Sequence, residues 1–189
     1  MIKYILHVGA TNMESIHNDN FFKEMLKGLP SLANILLIYF AKDRKKWESL
    51  TNNDKENFAK ANDGKELNFV VASNNIDELR QQIKSADLVY MRGGSLTDVL
   101  LVEMSRLDDL QELFDGKIVS GSSAGAYILS KYFYSQDMGG IFEGTGVLPI
   151  KCTAHYTEKK DPFIKQMKNT GEELEVYPIP ETEFVIIEK

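Results

Sequence analysis

The sequence predicts an α/β fold, a three-layer sandwich with a mainly parallel central sheet between two layers of helices. Short apolar runs rich in β-branched residues alternate with helix-length segments of mixed polarity. Two glycine-rich turns, residues 92–95 and 121–125, each follow such a run directly. The 189 residues, of which 43% are hydrophobic, are enough to form one domain with a sizeable core. We therefore expect a single domain over residues 1–189.

Strands and helices alternate through the first 105 residues. Residues 34–39 (Asn-Ile-Leu-Leu-Ile-Tyr) are almost continuously apolar, which is typical of a strand buried on both faces. In residues 75–85, Ile76, Leu79 and Ile83 are spaced to share one helix face. Residues 42–65 are rich in Lys, Asn, Asp and Glu and predict a solvated loop-and-helix region. The predicted order is strand 4–8, helix 20–27, strand 34–39, strand 68–72, helix 75–85, strand 86–91 and helix 96–105.

The pattern changes in the second half of the chain. A short strand at 118–120 leads through the second glycine-rich turn into a helix at 124–130, and beyond residue 132 glycines and prolines break the chain into short pieces. Ligands of parallel α/β sheets bind beyond the carboxyl ends of the strands, so we expect both glycine-rich turns on one rim of the sheet. Further strands are predicted at 147–155, 174–177 and 184–187, with a helix near 161–168.

Composition narrows the range of partners. A net charge of −6 and a pI near 5.2 argue against nucleic acid or an anionic membrane as the main partner. The lone cysteine, Cys152, cannot form an intrachain disulfide, which favours a reducing, cytoplasmic setting. The apolar run near the amino terminus is too short for a signal peptide, and no run is long enough to span a membrane. No metal-ligand cluster, dinucleotide-binding glycine motif or P-loop lysine motif is present, so we expect no metal and no cofactor.

Residues 121–125 read Gly-Ser-Ser-Ala-Gly, the pattern of a nucleophile elbow. Such a strand-to-helix turn holds its central serine, here Ser123, on a strained backbone with the hydroxyl exposed. Glycines suit this tight turn because they carry no side chain. The N–H of the next residue, Ala124, points to the place where an oxyanion would form. The sequence therefore indicates Ser123 as a candidate nucleophile.

A serine nucleophile needs a base, and the chain has three histidines. His155 ends an apolar run just before a charged loop, so it can project over the same rim as the elbow. His7 lies inside the first predicted strand, and His17 lies in an early polar segment. We rank His155 first and His7 second.

The order of motifs resembles the S51 serine peptidases, the family of aspartyl dipeptidase (peptidase E) and cyanophycinase. The resemblance rests on Tyr-Met-Arg-Gly-Gly-Ser-Leu-Thr at 90–97, the elbow with Ala126, Gly-Thr-Gly-Val-Leu-Pro at 144–149 and Ala-His-Tyr at 154–156. It extends over nearly the whole chain and implies the class I glutamine amidotransferase-like (flavodoxin-like) fold.

The resemblance also implies roles for individual residues. Ser123 would be the nucleophile, His155 the general base, and Gly94 and Ala124 the donors of an oxyanion hole. In peptidase E an aspartate after the elbow helix completes the triad, and Asp137 occupies that place. Glu181 or Glu183 is the alternative.

The substrate implied is a small peptide, in peptidase E a dipeptide with an N-terminal aspartate. Where the family turn has glycine and asparagine, this chain has Arg92 and Ser95, and a guanidinium there could hold a substrate carboxylate. Ser95 and Tyr156 are further candidate substrate-binding residues.

Two other interpretations stay open, and so does the oligomeric state. One is a small α/β-type esterase, whose elbow would look the same. The other is a catalytically silent amidotransferase-like domain that binds a ligand or a partner. A cyanophycinase is less expected, because the longer histidine motif of that family does not follow His155. The chain is expected to be a monomer or a homodimer.

Overall fold

The protein is built around a six-stranded sheet. The computed structural model describes residues 1–9 and 15–189. Within them, this sheet has the strand order β10-β1-β5-β4-β2-β3, and all its neighbours are parallel except β10, which runs antiparallel to β1. Its strands are β1 (Lys3–His7), β2 (Leu32–Ile38), β3 (Glu66–Val71), β4 (Leu88–Met91), β5 (Ile118–Ser122) and β10 (Phe184–Glu188).

A second, four-stranded sheet packs beside the first, in the order β7-β6-β8-β9. β6 pairs antiparallel with β7 and parallel with β8, and β8 pairs parallel with β9. Apolar residues of this sheet, such as Phe133 and Cys152, join the same core cluster as Val119 of the first sheet. Its strands are β6 (Ser130–Ser135), β7 (Gly140–Glu143), β8 (Leu148–Tyr156) and β9 (Val176–Pro180).

Helices cover both faces of the six-stranded sheet. Along β2, Ile35 and Leu37 join one core cluster with residues of α1 and α2, whereas Leu36 and Ile38 join the other with residues of α3 to α6. This alternation buries both faces of the strand, as a three-layer sandwich requires. The helices are α1 (Ile16–Leu26), α2 (Trp47–Ala61), α3 (Ile76–Ser85), α4 (Thr97–Ser105), α5 (Leu110–Leu113), α6 (Ala124–Leu129) and α7 (Asp161–Lys168).

The predicted α/β fold with its mainly parallel sheet is confirmed. α3 illustrates the local signals, because the Asn75 side chain accepts hydrogen bonds from two N–H groups of its first turn and Lys84 lies in its last turn. The charged region 42–65 contains the 15-residue helix α2. β6, β7 and the separate second sheet were not predicted from the sequence.

Close backbone packing fixes the turn between β5 and α6. A side chain on Gly121 would collide with the backbone of Gly125, and one on Gly125 would collide with the Met91 carbonyl of β4. The helix therefore lies directly on the strands. Ser123, between them, adopts φ 50° and ψ −106°, a conformation that costs a residue with a side chain free energy.

We expect Gly121→Ala to lower the free energy of unfolding by about 3 kcal/mol or more, because backbone atoms of α6 cannot move aside cheaply. Gly116→Ala is the control without a steric collision. Unlike Gly121, Gly116 has a positive φ, of 71°, but its added methyl group would meet nothing within 4 Å. Only about 1–2 kcal/mol of backbone strain is therefore expected. Urea unfolding of both variants measures the difference, and equal losses would contradict the packing argument.

Candidate active site

Ser123 stands at the carboxyl end of β5, on the rim predicted from the sequence. Its N–H donates to the carbonyl oxygen of His7, the last residue of β1, at 2.8 Å. Its Oγ lies 3.4 Å from Nε2 of His155. Hydrogen bonds between nucleophile and base are often this long before substrate binds.

His155 is supplied by the second sheet, near the end of β8. Its Nδ1 lies 2.7 Å from a carboxylate oxygen of Glu181, in the turn between β9 and β10. Ser123, His155 and Glu181 thus form one hydrogen-bonded chain. Backbone strain is often found at functional sites. Among the described non-glycine residues, positive φ occurs here at Ser123 and His155 and at Thr182, the residue next to Glu181.

Two backbone N–H groups beside Ser123 have no acceptor in the described part of the chain. They belong to Gly94, in the turn after β4, and to Ala124, the first residue of α6. Both are the donors that the sequence suggested. Gly94 must be glycine, because a side chain there would collide with the Ala41 carbonyl. A helix N-terminus adds partial positive charge where an oxyanion would form.

Ser123, His155 and Gly94 line a cavity of about 290 Å³. Gly93 and Gly94 form one wall, and a side chain on Gly93 would strike Ser123. On the other side, Gly9 lies against Ser123 and His155. The described lining residues are Gly9, Lys42, Arg92, Gly93, Gly94, Ser95, Ser122, Ser123, Asp137 and His155.

The structure corrects the choice of carboxylate beside His155. Asp137 lines the cavity, but in the described part of the chain it makes no hydrogen bond or ion pair with His155. Glu181, an alternative in the sequence analysis, holds that position instead. Glu183, the other alternative, lies 3.5 Å from His17. Glu181 lies beside the His155 ring because the turn between β9 and β10 places it there.

Two of the three candidate substrate-binding side chains are engaged elsewhere. Arg92 lines the cavity, yet its guanidinium binds the buried carboxylate of Asp54 and, at 3.0 Å, Asn53. It neutralises a carboxylate of the protein's own helix α2 and is not available to a substrate. The Tyr156 hydroxyl donates to Asp161 at 2.7 Å, and Tyr156 is not among the described residues that line the cavity. Ser95 does line it.

Lys42 and Gly9 are cavity residues that the sequence analysis missed. Lys42 was included in a solvated charged region, and Gly9 was not considered. Each follows a parallel strand, β2 or β1, at its carboxyl end. The rule that predicted the position of the two glycine-rich turns could therefore have found both residues.

The Cys152 thiol and the imidazole of His7, the histidine ranked second as a base, are buried and inert. Burial raises the pKa of the Cys152 thiol to about 12, so the reactive thiolate is absent at neutral pH. His7 is fully buried, its ring stacks on Phe21, and its Nδ1 accepts the Gly9 N–H at 3.0 Å. Burial lowers its pKa to about 4, which keeps the imidazole neutral beneath the site.

No group of three or more metal-ligating side chains occurs within residues 1–9 and 15–189. Over the same residues, no helix has the length and apolar character needed to cross a bilayer.

A serine on a strained elbow, a histidine, a carboxylate and two backbone N–H donors on an α/β sheet define a serine hydrolase. The sequence matches the model of peptidase family S51 over residues 5–189, and the chain belongs to this family. It is therefore a serine-type peptidase, and the resemblance seen in the motifs is confirmed.

Solved structures share the fold. A peptidase from an acI-B1 Actinobacterium superposes with a TM-score of 0.67 at 18% identity, covering 98% of this chain and 82% of its own. A Listeria monocytogenes EGD-e protein classed as a peptidase E gives a TM-score of 0.66 at 20% identity, covering 99% and 94%. No curated protein matches the chain by sequence.

His7 makes stability depend on pH. The unfolded chain binds a proton at His7 near pH 6.5, whereas the native chain binds it only near pH 4. The contribution of His7 to the free energy of unfolding is therefore fully present above about pH 6.5. It is lost as the pH drops toward 4, by about 3 kcal/mol in total. We expect His7→Gln, which keeps an acceptor for Gly9, to lack this share of the acid-induced loss. Urea unfolding from pH 7.5 to 4 tests it, and parallel profiles for the two proteins would contradict it.

Proposed function

We propose that the protein hydrolyses small peptides through an acyl-enzyme, with Ser123 as nucleophile, His155 as general base and Glu181 as the carboxylate that orients His155. The observation that carries this proposal is the continuous series of hydrogen bonds that joins these three side chains, beside two N–H donors that have no acceptor among the described residues. The site has the nucleophile, base, orienting group and oxyanion donors that acyl transfer requires.

The first half of the reaction forms the acyl-enzyme. His155 Nε2 takes the proton of the Ser123 hydroxyl while Oγ attacks the peptide carbonyl carbon. The N–H groups of Gly94 and Ala124 stabilise the resulting oxyanion, by roughly 3 kcal/mol for each donor. As the tetrahedral intermediate collapses, Nε2 returns the proton to the leaving amine, and the carbon–nitrogen bond breaks.

The second half regenerates the enzyme. Water enters in place of the amine, loses a proton to His155 Nε2 and attacks the ester carbonyl, which releases the carboxylic acid and restores the Ser123 hydroxyl. Throughout, Glu181 accepts the N–H of His155 Nδ1. This bond fixes the tautomer that leaves Nε2 as the acceptor and stabilises the imidazolium that forms in each half.

The size of the cavity and the family support a small peptide as the proposed substrate. A cavity of about 290 Å³ has room for a small peptide. Within family S51 a dipeptide with an N-terminal aspartate is the first substrate to test. Residues 1–189 as one domain, a cytoplasmic location and a monomer or homodimer stay predictions.

We expect Ser123→Ala to reduce dipeptide hydrolysis by at least about 1000-fold, because the nucleophile is lost while the fold is retained. Cleavage of a dipeptide panel that includes Asp-Leu and Ala-Leu is the measurement, with thermal unfolding to verify that the variant is folded. Activity retained by the folded variant would overturn the assignment of Ser123.

A second pair of variants separates the two carboxylates. Glu181→Gln removes the charge beside His155 and is expected to lower kcat by roughly 100- to 10,000-fold. Asp137→Asn is the matched control and should change kcat less than about 5-fold, since Asp137 does not bond to His155. If Asp137→Asn lowered kcat more than Glu181→Gln, the orienting role would belong to Asp137.

A further inference from the structure

The cavity beside Ser123 contains a cation, Lys42, that has no partner among the described residues. Its charged or titratable lining residues are Arg92, Lys42, Asp137 and His155. The guanidinium of Arg92 is bound by Asp54. Within residues 1–9 and 15–189, Nζ of Lys42 makes no hydrogen bond and no ion pair. Lys42 is therefore the cation in this cavity that remains available to a ligand.

The backbone of Lys42 is held in place. Its N–H donates to the Tyr39 carbonyl at 2.8 Å, and its own carbonyl accepts the indole N–H of Trp47 at 3.1 Å. The side chain runs along Gly94, with Cδ 2.8 Å from the position that a Gly94 side chain would occupy. The ammonium group is thus carried on a stem that lies against a proposed oxyanion donor.

The electrostatics of Lys42 favour an anion at this place. Its side chain is partly buried, and burial together with the positive charges of Arg92 and Lys46 lowers its pKa. Asp54, the acidic group that acts on Lys42, is already bound to Arg92. A partly desolvated cation among like charges is stabilised when a carboxylate binds to it. The carboxylate accepts a charge-assisted hydrogen bond that replaces the lost hydration.

A larger space adjoins the cavity at Lys42. This second cavity, of about 640 Å³, shares Lys42 and Ser95 with the first and is lined in part by Trp47 and Val99. A ligand group held by Lys42 therefore lies where the two cavities meet, with room for the rest of a short peptide.

We propose that Lys42 binds a carboxylate of the peptide substrate next to the oxyanion hole and thereby sets specificity, an inference that rests on the proposed peptidase function. Two substrate groups have this chemistry: the side chain of an acidic residue and the carboxylate at the peptide's C-terminus. Lys42 takes the role that the sequence analysis gave to Arg92.

Matched peptides identify the carboxylate. Asp-Leu against Asn-Leu removes the side-chain charge, and Asp-Leu against Asp-Leu amide removes the terminal charge. We expect the wild-type kcat/KM to fall roughly 10- to 100-fold in one of these two comparisons. Lys42→Met should reduce that preference to within about 3-fold, whereas Lys42→Arg should retain most of it.

Lys45→Met is the control variant. Lys45 carries the same charge on the same loop, is exposed and lines neither cavity. It should keep the wild-type preference, so a change specific to Lys42→Met reports local binding and not net charge. A wild-type enzyme that cleaves peptides without any carboxylate preference, or a Lys42→Met enzyme that keeps it, overturns the proposal and leaves the peptidase function intact.

Binding to a cleavage-deficient protein separates the two hypotheses. Calorimetric titration of Ser123→Ala with Asp-Leu, Asn-Leu and Asp-Leu amide, repeated with Ser123→Ala/Lys42→Met, should show roughly 10-fold or greater weakening of Asp-Leu binding in the double variant. Carboxylate-dependent binding that vanishes with Lys42, in a protein whose wild type cleaves nothing, supports Lys42 and overturns the proposed reaction. Absence of both binding and cleavage overturns the assignment of Lys42 as well.

Discussion

Backbone hydrogen bonds at the carboxyl end of β1 fix the position of the site. There the His7 carbonyl accepts the N–H of Ser123 at 2.8 Å, and the Val8 N–H donates to the Glu183 carbonyl at 3.2 Å. A side chain on Gly9 would contact Ser123 and His155. Three consecutive residues thus contact the elbow, His155 and the turn that carries Glu181. His7, the first of them, is itself held by burial and by stacking on Phe21.

Much of the six-stranded sheet and the position of Ser123 could be predicted, because their signals are local. A run such as residues 34–39 cannot be a solvated surface, and the glycines around Ser123 allow α6 to lie directly on β4 and β5. The position of His155 followed from the general rule about strand ends. β6 and β7 carry no comparable signal, since their polar and aromatic residues do not alternate regularly.

The contacts that the sequence could not predict join residues that are far apart in the chain. Arg92 looked available to a substrate, but Asp54, from a helix 38 positions earlier, occupies its guanidinium. Glu181 reaches His155 only because β9 and β10 belong to different sheets and the turn between them crosses the site. Neither contact has a signature in the neighbouring sequence, because each depends on how distant elements pack.

The hydrogen-bonded chain also spans the boundary between the two sheets. Ser123 comes from the six-stranded sheet, His155 from the four-stranded sheet, and Glu181 from the connection between them. The alignment of these three side chains therefore depends on how the two sheets pack against each other. A displacement of about 1 Å between the sheets is enough to weaken this alignment strongly. Substitutions in the core that the two sheets share can therefore act on the site without touching any of its three side chains.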